Sequence, residues 1–199
     1  MALNGKALQA IMMGQCAAKG LFGSEIPNFT SALSEGIVTG FLSQNFVTTV
    51  DAGATIGGGV GIGIGKMAGL TPTGMLGLTI PLLASEIIIG VRSIDLAEAC
   101  CNAIVIHFLS ANLVNTLHFQ VSPGTGVGKV FGVSGAGLTA VVTPLMLGKN
   151  IKGIQMFGLV NSICTAFATH VLATALVNVV ITGSGAPPPA GGAGVGKVF

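Results

Sequence analysis

Residues 37–50 read Ile-Val-Thr-Gly-Phe-Leu-Ser-Gln-Asn-Phe-Val-Thr-Thr-Val, and residues 104–117 read Ile-Val-Ile-His-Phe-Leu-Ser-Ala-Asn-Leu-Val-Asn-Thr-Leu. Eight of the 14 positions are identical at an offset of 67 residues. A more diverged third copy is Val171-Leu172-Ala173-Thr174-Ala175-Leu176-Val177-Asn178-Val179-Val180. Each copy leads into a glycine-rich stretch that ends in Gly-Lys: Gly61–Lys66, Gly124–Lys129 and Gly192–Lys197. Further on, Gly69-Leu70-Thr71 matches Gly137-Leu138-Thr139. Self-similarity at a fixed period marks stacked copies of one supersecondary unit, so the repeat governs the rest of the reading.

Each unit reads as two helices followed by an extended segment. Leu8, Ile11, Met12 and Cys16 fall at helical spacing, and Leu33, Ile37, Phe41 and Leu42 share a face of the next helix. The second unit pairs Leu76–Ile89 with Leu96–Leu117, and the third pairs Val141–Leu147 with Ile154–Leu176. Val47–Val50 and Val177–Val180 are β-branched, so the chain is expected to leave the helix there and become extended. Glycine at every second position leaves one face of bare backbone that packs closely on another chain segment. The resulting fold class is mainly α: three tandem helical hairpins, each followed by a glycine-rich extended segment that adds short intersubunit β-strands. The units are 1–68, 69–136 and 137–182, with 183–199, which contains Pro187-Pro188-Pro189, as a C-terminal arm. Ile37, Phe41, Ile104, Phe108 and Leu172 are assigned to the hairpin core.

Composition limits what such a fold can do. The chain is 51% hydrophobic and 7% charged, whereas an ordinary soluble domain carries about 25% charged residues. Much of this surface must therefore be covered by lipid or by other protein. Met156–Ile181 has no charged residue and is long enough to cross a bilayer. Against insertion stand the absence of Trp and Tyr and the polar groups Asn161, Thr165, Thr169, His170, Thr174 and Asn178 along that span. A net charge of +2 is too weak for a nucleic-acid footprint. Protein–protein burial is the preferred reading, and an integral membrane pore or channel is the alternative.

Few residues offer chemistry. The Gly-Lys sites invite a phosphate-loop reading, but Met67 and Val130 stand where Ser or Thr is required, as does Val198. His107, His118 and His170 are isolated among apolar residues. Asp95 and Glu98, one helical turn apart beside Arg92, suit a solvated face. Cys16, Cys100, Cys101 and Cys164 show no metal or disulfide spacing and read as small buried residues. No catalytic, cofactor or metal residue is assigned, and no enzyme activity is expected. The interface candidates are Ile87, Ile88 and Ile89, whose run sweeps most of a helix circumference, and Lys66, Lys129 and Lys197.

The Met1-Ala2-Leu3-Asn4 opening, the run Gln44–Val50 and the terminal Gly-Val-Gly-Lys-Val together resemble small virion structural proteins of tailed bacteriophages, especially those of T4-like and cyanobacterial phages. The resemblance implies a non-enzymatic component of the virion. It would oligomerise and join neighbouring virion proteins of the tail, baseplate, neck or capsid, and be assembled in the host cytoplasm.

Overall fold

The computed structural model describes residues 3–52, 61–88, 90–118, 124–183 and 191–199. Its elements follow the repeat: α1 (Gly5–Ala18), α2 (Glu25–Gln44), β1 (Phe46–Ala52) and β2 (Gly61–Ala68); α3 (Pro72–Ser85), α4 (Val91–Ala111), β3 (Leu113–His118) and β4 (Gly124–Phe131); α5 (Gly135–Gly148), α6 (Ile154–Thr174), β5 (Leu176–Gly183) and β6 (Gly191–Val198).

The six strands close into one antiparallel barrel in chain order, with β6 pairing back onto β1. This overturns the mainly α assignment, and with it the intersubunit strand pairing of the extended segments. Every glycine-rich stretch has its pairing partners inside the same chain. β2 lies between β1 and β3, and β4 between β3 and β5. The region read as a C-terminal arm contains β6, which fills the last gap between β5 and β1.

A barrel of six strands has little room inside, and the sequence divides that room between the strands. Odd strands point Val47, Thr49 and Asp51, Val114 and Thr116, and Val177, Val179 and Ile181 into the interior. Even strands bring Met67, Val130 and Val198 at the helix end, then glycines where the interior side chains need space. A Cβ on Gly63 would strike the Asp51 carboxylate and the Thr116 hydroxyl. One on Gly65, Gly128 or Gly196 would strike the carbonyl oxygen of Thr48, Asn115 or Asn178. The alternating glycines are therefore sockets for the neighbouring strands.

The helices form a second layer. The long helices α2, α4 and α6 enclose the core, where Phe41 meets Phe108 edge-on at 4.9 Å and Phe167 meets both at 6.1 and 6.4 Å. Each such aromatic pair adds about 0.5–1.5 kcal/mol beyond its area. The short helices each bury one stripe at four-residue spacing: Leu8-Met12-Cys16, Met75-Thr79-Leu83 and Leu138-Val142-Met146. Each begins at a capping side chain of Asn4, Thr71 or Ser134 that accepts a backbone N–H three residues on. Thr71 thus matches Ser134, not Thr139 as the Gly-Leu-Thr similarity suggests. Phe41, Phe108 and Val171 are all buried at matching positions, whereas Leu172 is 40% exposed and lies outside the core assigned to it. It is Val171 that takes the inward position.

Two asparagines tie the layers together. Asn112, which ends α4, accepts a hydrogen bond from Met67 N–H at 2.6 Å and donates to Met67 C=O at 3.1 Å. Asn45, which ends α2, does the same to Val198 at 2.7 and 3.3 Å. Each amide side chain pairs like one more strand residue across the joint between two units. Ala175 occupies that position after α6 and supplies no such side chain.

Candidate functional site

The outward faces of the strands are banded. In the three hairpins Thr48 faces Lys66, Asn115 faces Lys129 and Asn178 faces Lys197. Two residues further from the helices the facing pairs are Val50 with Ile64, Leu117 with Val127, and Val180 with Val195. All six of these apolar side chains are exposed, Val50 by 77%. A shallow groove of about 520 Å³ crosses this band, lined by Ile62, Asn115, Leu117, Val127, Lys129 and Leu176. Monomeric proteins rarely expose a contiguous apolar surface of this kind unless something docks on it.

Charge is divided between the layers. Glu25, Glu35, Glu86, Asp95 and Glu98 belong to the helical layer, together with Lys6, Lys19, Arg92, Lys149 and Lys152, so that layer is neutral overall. Asp51 is buried inside the barrel, where its Oδ2 accepts a hydrogen bond from Thr49 Oγ1 at 3.0 Å. Among the described residues, no carboxylate lies on the outward face of a strand. The three lysines thus sit at matching positions on a cationic collar above an apolar band.

Of the interface candidates, Lys66, Lys129 and Lys197 all face outward on the barrel, and the repeat brings them to one level. The isoleucine run is placed differently. α3 ends at Ser85, so Ile87 and Ile88 lie in the turn before α4 and do not sweep a helix. Ile88 packs against the core, and Ile89 falls outside the described residues. Ile87 is 81% exposed at φ 60°, a left-handed conformation that disfavours a β-branched residue. The matching turns carry Gly20 at φ 67° and Asn150 at φ 58°, residue types that accept it. Replacing Ile87 by Asn is expected to raise stability by about 1 kcal/mol, or about 2–4 °C in melting temperature, because strain is removed and no core contact is lost. Thermal unfolding by circular dichroism checks this.

Sequence inspection found the histidines but not their task. His107 Nε2 accepts a hydrogen bond from Ser134 N–H at 3.2 Å, and His170 Nε2 accepts one from Asn4 N–H at 3.2 Å. Each latches the long helix of one unit to the cap of the next short helix. At the remaining joint Gln44 Oε1 accepts from Thr71 N–H at 2.9 Å. The signal available was the matching place of His107 and His170 in the repeat. Burial pushes both imidazoles below their usual value, and the accepting nitrogen must be unprotonated. A histidine with a lowered folded-state pKa contributes stability above its unfolded value of about 6.5, and this is lost as pH falls. The melting temperature is therefore expected to hold above about pH 7 and to fall as the pH drops below about 6.5. That limb should shrink in the His107→Gln/His170→Gln variant.

The other titratable groups serve the packing. Lys149 bridges Glu98 at 2.7 Å and Asp95 at 3.5 Å, while Arg92 donates to the carbonyls of Lys149 and Asn150 at 2.9 and 3.0 Å. Together they bind α4 to the α5–α6 turn. All four cysteines are buried thiols, and burial pushes Cys101 and Cys164 up to about 12. Their thiolates are suppressed, so they are poor nucleophiles. Among the described residues, no three His, Cys, Asp or Glu side chains gather as a metal site. Compared with known protein families, curated proteins and solved structures, the chain matches none of them.

Proposed function

We propose that the protein is a non-enzymatic structural component that joins neighbouring proteins in a larger assembly, in keeping with its resemblance to small phage virion proteins. The observation that carries this reading is the exposed apolar band on a barrel whose described interior positions are occupied by its own side chains. Among the described residues the interior is taken up by side chains such as Val47, Thr49, Asp51, Val114 and Thr116, so the outer surface is what the barrel offers. The opposite end, formed by the turns between helices, also exposes large apolar side chains: Phe22, Ile87 and Ile154. Two separate exposed apolar surfaces on one fold suit a joint.

The membrane alternative is favoured by Arg92–Ala111 and Ile154–Thr174, which are long and apolar enough to cross a bilayer. Half or more of the most apolar stretch of each is buried inside the fold, as in the core helix of a soluble protein. Density-gradient fractionation of the cells that make the protein separates the readings. Recovery in lipid-free particles is expected, and recovery only in detergent-extracted membranes would overturn the assembly role.

A further inference from the structure

The geometry points to a partner of definite symmetry: a homotrimeric protein with a carboxylate on each subunit, seated around the barrel on the axis that relates the three units. The inference rests on the assembly role and specifies its partner.

The argument is a comparison made within one chain. The three units have diverged at many matching positions. Leu33, Cys100 and Ile163 correspond, as do Gly40, His107 and His170, and Asn45, Asn112 and Ala175. The outward face of the barrel has kept its chemistry in all three copies. Lysine is present every time, facing Thr or Asn, and the next level is Val, Leu or Ile at all six positions. Folding does not require this, because these side chains point away from the packed interior and are exposed. A partner touching one sector would leave the other two free to drift, as the rest of the chain has drifted. A partner that touches all three sectors alike holds them alike, and closed rotational symmetry is how identical subunits present one surface several times.

The chemistry of the partner follows from the bands. Three lysines with no side-chain carboxylate beside them among the described residues of the barrel exterior call for three acidic groups, one per partner subunit. The apolar level next to them calls for an apolar rim. An anionic lipid surface would also accept lysines beside apolar residues. Against that surface, the chain has no Trp or Tyr to anchor at a lipid interface.

The test uses the full chain recovered in its native assembly, with charge-reversal variants Lys66→Glu, Lys129→Glu and Lys197→Glu made one at a time. Each lysine is exposed, so the variants should keep the parental melting temperature. Expected results are equal losses of incorporation, about fivefold each, and near-complete loss in the triple variant. Zero-length carboxylate–amine crosslinking should join all three lysines to one and the same residue of the partner, at three partner subunits per chain. Loss confined to one variant, or crosslinks to three different partner residues, would overturn the trimer while leaving the assembly role intact. Unchanged incorporation of the triple variant would reject the collar as the docking surface. Binding of the parental chain to vesicles that contain phosphatidylserine but not to phosphatidylcholine alone, lost in the triple variant, would replace the trimer with a lipid surface.

Discussion

Gly128→Ala is expected to destabilise the protein by about 3 kcal/mol, at the upper end of overpacking costs, lowering the melting temperature by about 6–12 °C. The added methyl would sit on the carbonyl oxygen of Asn115, which belongs to the paired backbone of β3. A flexible side chain could swing away, but a carbonyl held in a ladder moves only if the strand moves. Gly65→Ala and Gly196→Ala meet Thr48 and Asn178 in the same manner and should cost about as much. The matched control is Gly77→Ala. Gly77 lies inside α3 with nothing near the place a Cβ would occupy, so there alanine should gain up to about 1 kcal/mol of helix propensity. Denaturant unfolding of the four variants checks both signs at once. A barrel that tolerates all three socket substitutions would contradict the close packing described here.

Asn112→Ala is expected to cost about 2–4 kcal/mol. The side chain satisfies both backbone polar groups of Met67, and Met67 is buried. Truncation leaves an N–H and a C=O without partners at the place where α4 passes into β3. Asn112→Asp keeps an acceptor for the N–H but cannot donate to the carbonyl, so it restores only part of the loss. Native-state hydrogen exchange gives a local readout, since the Met67 amide should exchange faster in Asn112→Ala than in the parent. Asn45→Ala should behave alike at Val198. Ala175 marks the third joint as the one built without this clamp.

Much of the local structure was legible in the residues. The repeat of Ile37–Val50 at Ile104–Leu117 located the long helices, and the β-branched runs Val47–Val50 and Val177–Val180 located the switch to strand in the first and third units. Leu113–Leu117, read as the end of a helix, instead forms β3 because α4 stops at Ala111. The segments Gly61–Lys66, Gly124–Lys129 and Gly192–Lys197 were readable as period-two backbone able to lie close to a neighbour. Leu172 was misplaced because the third copy is diverged, and inward and outward positions on a helix differ by a single residue. Ile87 and Ile88 were misread because an apolar run past Ser85 continues a helical pattern in composition, though the chain has already turned.

The sequence by itself determined three like units, where the first and third change from helix to strand, and that their lysines recur. Those are consequences of side-chain chemistry acting over a few residues along the chain. Only the tertiary structure decided that the glycine-rich strands pair with one another, and that β6 returns to β1 to close a barrel with the lysines on one collar. A strand's N–H and C=O groups are the same in every residue but proline, so the pattern announces an edge without saying whose edge it will meet. The answer is set by closure: with three hairpins in one chain the barrel leaves no edge over, and the interior glycines make a circle that narrow possible.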